Sequence, residues 1–236
     1  MNRRPRTSYT AEPDVAEVAA LLAEPTRAAI LFALLDGRER PASELASRAG
    51  ASPQAASAHL AKLVGGGLLA VTAAGRQRLF RLASPDVAHA VEALATLAKP
   101  AQVVALSQTT TMQRLRAARS CYDHLAGRLG IAVTDHFLER RALRRVGDAF
   151  ELTRHGATVF RELEIDVERA PTGRRPFARA CTDWTERRPH LAGLLGARIL
   201  HRFVAAGWLA RNASDRALLI TPEGQRELEQ RFRIRF

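Results

Sequence analysis

Cysteine is nearly absent from this 236-residue chain: there are two, and lysine, methionine, tryptophan and tyrosine also occur twice each. Two thiols cannot form a disulfide framework, so they point to metal or thiol chemistry, or to simple core filling. No run of 18 apolar residues occurs, which removes a membrane-spanning helix. The opening MNRRPRTSYT lacks the apolar centre of a signal peptide, so a cytoplasmic protein with no membrane partner is expected. No G-x-G-x-x-G loop and no C-x₂-C pair is present. The first absence argues against a fused nucleotide-binding enzyme, the second against a conventional structural zinc motif. What is plentiful is arginine, 34 residues, a bias that base composition explains as readily as function. The net charge is +12, but residues 1–100 hold 12 Lys+Arg against 9 Asp+Glu and residues 101–236 hold 24 against 15. Any DNA-binding reading of the first half therefore rests on motif and not on bulk charge.

The chain is organised around SPQAASAHLAKLVGGGLL, residues 52–69, and the basic run that follows, VTAAGRQRLFRL, residues 71–82. Ser52 is a good N-cap and Pro53 suits the first helical position, so a helix is predicted from there to about Val64, where three glycines stop it. Leu60, Leu63 and Val64 supply its apolar stripe. The second run reads as a hairpin turning at Gly75. Before them, PASELASRAG, residues 41–50, reads as a shorter helix capped by Ser43. Two short helices joined by a tight turn form a helix-turn-helix, whose second helix enters the major groove. Upstream, a helical pattern over residues 15–35 breaks near Glu24-Pro25 and puts Ile30, Leu31, Leu34 and Leu35 on its core side.

The order LAEPTR-x-x-IL-x-x-L, ELA, SPQAASAHL-x-x-L, GLL and GRQRLFRL closely resembles the ArsR-type winged-helix transcriptional regulators over residues 15–97, about two fifths of the chain. The resemblance implies a homodimer paired through the outer helices, one of them following Ser84-Pro85 with apolar Val87, Val91, Leu94 and Leu97. It also implies a double-stranded DNA operator and, for the whole chain, a sequence-specific regulator, in first place a repressor released by a small-molecule or metal effector. The residues expected at DNA are Ser52, Gln54, Ala55, Ser57, His59, Lys62, Arg76 and Arg78. The family's thiolate site is missing, because SELASRAG contains no Cys. Its other common site is incomplete, because Asp86 and His89 are followed before Pro100 only by Glu92.

Beyond Pro100 the chain repeats itself. HLAGRLG, residues 124–130, returns as HLAGLLG, residues 190–196, and FELTRHGATVFREL, residues 150–163, returns as LLITPEGQREL, residues 218–228. Each copy is expected to read helix, helix, hairpin, closing helix, a degenerate winged-helix unit. The expected fold class is thus mainly α with small β-hairpin wings (α+β). The domains are a basic arm over residues 1–14 carrying Arg3, Arg4 and Arg6, a winged helix-turn-helix over 15–98, and an effector or dimerisation domain over 101–236 whose copies span about 118–166 and 180–230.

Each copy places a C-x-D before its HLAG: Cys121 and Asp123 before His124, Cys181 and Asp183 before His190. If the copies face each other, these six residues supply thiolate, imidazole and carboxylate ligands of the kind that bind zinc or another thiophilic ion. Three alternatives stay open. The cysteines can be small core residues with no cofactor at all; they can sense oxidant; or the same six residues can line an organic-ligand pocket together with Trp184, Phe177, Phe203 and Trp208. No base, orienter and oxyanion donor can be assigned together, so no catalytic residue and no enzyme activity is expected. A DNA-binding domain fused to an enzyme and a protein-interaction adaptor are the competing classes.

Overall fold

The computed structural model describes residues 13–99, 106–168 and 175–236, so the arginines expected in the basic arm lie outside the described residues. The chain begins with α1 (Val15–Leu22) and α2 (Pro25–Ala33). They are separated at Glu24, whose carboxylate accepts the Thr26 and Arg27 N–H groups at 3.1 and 2.8 Å and so caps α2. Next come β1 (Arg40–Pro41), α3 (Ala42–Arg48), α4 (Pro53–Gly65), β2 (Leu69–Ala74), β3 (Gln77–Leu82) and α5 (Pro85–Leu97). The three strands form an antiparallel sheet in the order β1-β3-β2. Ile30, Leu31, Leu34 and Leu35 are fully buried, with Leu45, Leu60, Leu63 and Phe80 beside them.

Ser52 caps α4 as expected, accepting the Ala55 N–H at 3.2 Å. Ser43 does not cap α3. Pro41 holds the N-cap position with an extended backbone, φ −71° and ψ 157°, and its pairing with Leu79 in the sheet starts the helix early enough to leave Ser43 inside the first turn.

After α6 (Leu106–Ala117) the repeat becomes visible. The first copy runs β4 (Arg119–Cys121), β5 (His124–Ala126), α7 (Gly127–Glu139), β6 (Leu143–Val146), β7 (Ala149–Leu152) and α8 (Arg154–Glu162). The second runs β8 (Arg179–Thr182), β9 (Pro189–Ala192), α9 (Gly193–Ala205), β10 (Leu209–Arg211), β11 (Leu218–Ile220) and α10 (Pro222–Phe232). Each C-x-D therefore lies in a short hairpin, not on a helix, which corrects the expected helix-helix order. Three-residue strands are too short for their alternation to be read in sequence.

The motif residues explain themselves locally. Thr153 and Thr221 cap α8 and α10, accepting from Gly156 N and Gly224 N at 2.9 Å each. A Cβ at either glycine would lie 2.0 Å from the Ala142 or Trp208 carbonyl oxygen, so both closing helices need glycine there. Gly224→Ala is expected to cost about 1–3 kcal/mol by overpacking, read as a lower urea midpoint; an unchanged midpoint would show that the helix can slide.

The copies exchange contacts reciprocally within the chain. β7 pairs with β8 at Ala149 and Arg179, β4 bridges to the β11 side at Arg119 and Ala217, α9 packs on β5, and α7 packs on β9. Those are the contacts of a local twofold arrangement. A shared core holds Phe137, Phe160, Phe203, Trp208 and Phe232. The two halves of the chain also meet. Tyr122, in the β4–β5 turn, donates its N–H to the Leu35 carbonyl at 2.6 Å and packs on the N-terminal core. Arg48 donates to the Ser214 and Ala213 carbonyls, and Glu92 on α5 forms a buried ion pair with Arg216.

Candidate nucleic-acid interface and candidate metal centre

On α4, burial of Ala56, Leu60 and Leu63 turns the opposite face outward. Gln54, Ser57, Ala58 and Ala61 are exposed along it. Ser57 and Ala61 then form one wall of a groove of about 380 Å³ whose other wall includes Arg76, Gln77 and Arg78 of the wing. The helix face and the hairpin tip thus converge. Lys62 is exposed at the edge of the face, and Ala55 is half-buried. Ser52 contributes first as a cap. His59 is half-buried, its Nδ1 lying 3.3 Å from Glu24 Oε2, because the α2 cap leaves a carboxylate facing that position. Sequence reasoning missed Ser43 and Gln77, which also line the groove.

The second constellation is more compact. Cys121 lies directly across its hairpin from His124, and Cys181 directly across from His190. The two hairpins face each other so that one ligand atom from each of these four residues falls within 4.8 Å of all the others. All four are buried. The two sulfurs are 3.8 Å apart, and the two imidazoles stack with centroids 5.1 Å apart. Bonds of about 2.3 Å from one tetrahedral ion would hold two thiolates about 3.8 Å apart.

Asp123 and Asp183, expected as ligands, are outside this group and stand behind it. Asp123 Oδ1 lies 3.4 Å from His124 Nδ1, and Asp183 Oδ2 lies 3.8 Å from His190 Nδ1. Their remaining capacity is taken up. Asp123 accepts from Arg175 at 2.5 Å; Asp183 accepts from Arg119, the Gly127 N–H, and the Thr185 and Glu186 N–H groups. A carboxylate behind each imidazole is the arrangement that orients a metal-binding histidine. The repeated C-x-D thus supplies one ligand and one orienting acid per copy.

His124 Nε2 and both His190 nitrogens are buried without a hydrogen-bond partner, a costly arrangement for polar atoms unless something fills it. The hydrogen bond to Cys181 and burial push the Cys121 thiol well up. Burial opposes charge on His124, yet the neighbouring Cys121 and Asp123 raise it to about 9; burial lowers His190. Burial also opposes charge on Asp183, but Arg119, Thr185 and the Gly127 N–H outweigh it and hold its carboxyl far below the usual range. A soft divalent ion replaces the thiol protons and uses the stranded nitrogens, so the residues present fit it. Cys121, Asp123, His124 and Cys181 do line a cavity, but none of the four aromatic residues expected with them is part of its wall: Phe203 and Trp208 pack with Phe232 in the core, and Trp184 lies under Arg119.

The comparisons with known proteins concern the helix-turn-helix as a domain. A helix-turn-helix domain family matches residues 22–72. Across 94% of this chain and 99% of its own length, an uncharacterised HTH-type transcriptional regulator, YdfF of Bacillus subtilis, is 40% identical. The chain belongs to the ArsR-type winged helix-turn-helix transcriptional regulators. CmtR, an HTH-type transcriptional regulator of Mycobacterium tuberculosis, is 41% identical over 80 residues, covering 34% of this chain and 67% of its own. Among solved structures, the homodimeric winged helix-turn-helix DNA-binding domain Mb0332 of Mycobacterium bovis is 30% identical over 41% of this chain and 89% of its own, with a TM-score of 0.35. This regulator is α+β, with helices joined by several small antiparallel sheets. No helix among its described residues is long and apolar enough to cross a membrane.

Proposed function

We propose that this regulator is a homodimeric repressor that reads its operator with α4 and the β2–β3 wing and is released when a thiophilic ion binds Cys121, His124, Cys181 and His190. The observation that carries the ion is the convergence of four buried ligand atoms, with the Nε2 atoms of both imidazoles buried and without a hydrogen-bond partner. When bound, the ion supplies a fourfold crosslink between the two hairpins.

The chain's own residues supply the route to DNA. Tyr122 sits between Cys121 and the Asp123-His124 pair with φ 59°, and its N–H holds the Leu35 carbonyl beyond α2. Fixing the ends of that turn moves or locks Tyr122 against the helix-turn-helix core. A second route passes behind the site, from Asp183 to Arg119 and, through the Trp184 ring that both Arg119 and Arg216 overlie, to Glu92 on α5. The other side of α5 leaves Leu94 and Leu97 exposed by 48% and 82%, and α1 likewise exposes Val15 and Val18. That apolar surface supports pairing of two copies through these helices, so α5 touches both the effector side and the dimer.

Gln54→Ala and Ser57→Ala are expected to change site preference, each base-edge contact being worth about 1–3 kcal/mol, whereas Lys62→Ala lowers affinity evenly. For the wing, Arg76→Ala with Arg78→Ala should flatten the slope of log affinity against log salt by about 0.9 for each phosphate that is no longer neutralised. Fluorescence anisotropy on a duplex selected by the protein from a random pool tests both. Wild-type selectivity in the first two variants, or a wild-type slope in the third, would move the interface elsewhere.

A further inference from the structure

Beside the Cys and His cluster lies a cavity of about 390 Å³ between α5 and the two hairpins, within the range of small-molecule sites and at the junction where such sites concentrate. Cys121, His124 and Cys181 form part of its wall, so three of the four cluster residues can be approached from it, while His190 is not part of the wall. The opposite wall is α5, through Ala88, His89 and Glu92.

The charges around the cavity are unequal in how they are used. Glu92 is bound to Arg216 and Arg175 to Asp123, while Asp86, also on the wall, is exposed to solvent. Arg179, half-buried on β8, lines the same space and has no carboxylate within ion-pair distance among the described residues. His89 beside it likewise has no hydrogen-bond partner among them. The cavity therefore offers a guanidinium without a partner at one side and two thiols at its floor.

We propose that this cavity binds a small anionic thiol, which brings the thiophilic ion to the cluster and removes it. This rests on the ion reading above and names the carrier for that same site. Arg179 holds the carboxylate of the carrier in a charge-assisted hydrogen bond. The carrier's sulfur then faces Cys121 and Cys181. In removal, the incoming thiol forms a sulfur bond to the ion as a thiol proton passes to the departing cysteine thiolate. In delivery the same exchange runs backward, and no electrons change hands. The cavity wall on α5 makes the exchange adjacent to the helix that serves the dimer.

The test uses full-length protein loaded with zinc, an excess of the chromogenic chelator 4-(2-pyridylazo)resorcinol, and three thiols of similar size. These are 2-mercaptoacetate, neutral 2-mercaptoethanol and cationic 2-mercaptoethylamine, compared at equal thiolate concentration and relative to chelator alone. Release is expected to be about tenfold faster with the anionic than with the cationic thiol, as one partly buried ion pair supports. Arg179→Ala should remove that preference and Arg179→Lys should keep most of it. Zinc-loaded protein that releases its ion at the same rate with all three thiols, or an Arg179→Ala variant that keeps the preference, overturns this proposal alone. Protein that takes up no zinc overturns it together with the ion reading.

Discussion

Asp183→Ala is expected to lower the stability of the protein by about 3–5 kcal/mol, because it leaves Arg119 as an uncompensated buried charge. Both side chains of that pair are 0% exposed and their atoms are 2.9 Å apart. The same carboxylate holds the Gly127 N–H at 2.7 Å, at the start of α7, so three elements lose an anchor at once. In thermal unfolding the loss corresponds to roughly 10 °C for a chain of this size. Replacing both partners by apolar residues of similar volume, Arg119→Met with Asp183→Leu, should recover part of it, since the isolated charge is then gone. An Asp183→Ala variant within about 1 kcal/mol of wild type, the worth of an exposed pair, would contradict this account of the buried network.

Cys121→Ser and Cys181→Ser are each expected to abolish stoichiometric binding of a thiophilic ion, because a hydroxyl is a poor substitute for a thiolate toward a soft metal. Asp123→Ala should be milder, a loss of about 10–100-fold in affinity, as for a residue that orients a ligand without touching the ion. Isothermal titration with Cd²⁺, checked by elemental analysis of dialysed protein, separates the two classes. If Cys121→Ser binds as tightly as wild type, the four-residue cluster is not the site. A wild-type protein whose thiols close to a disulfide in air but take up no ion would transfer the same geometry to redox sensing, since the sulfurs are already 3.8 Å apart.

The N-terminal half is legible in the sequence because its signals are local. Ser52 and Pro53 fix where α4 begins, and the spacing of Leu60 and Leu63 fixes which face is hidden. The repeat is legible for a related reason: Thr153 with Gly156, and Thr221 with Gly224, are a cap and a close backbone contact, each demanding one residue type. Pairing of Cys121 with His124 and Cys181 with His190 is visible as composition, but its form is not. A left-handed Tyr122 and two very short strands make the first hairpin, and no periodicity announces them. The carboxylates read as ligands in the sequence because it shows the donor type and not what else competes for it. Arg119, Arg175 and the Gly127 N–H, which occupy Asp123 and Asp183, come from other elements. The carboxylate beside His59 is hidden for the same reason, the Glu24 cap being 35 residues away along the chain. The cavity with Arg179 exists only once the two halves are packed together.

The most direct measurement of the central claim is the affinity of the metal-free protein for its selected DNA duplex, by fluorescence anisotropy, before and after one equivalent of Cd²⁺ or Zn²⁺ per chain. Weakening by about 5–150-fold is expected, the usual range of coupling between two sites. The change should be complete at one ion per chain and absent from the Cys121→Ser and His190→Ala variants, with their metal-free DNA affinity intact. A wild-type protein that binds one ion per chain at these residues and holds DNA with unaltered affinity would contradict it.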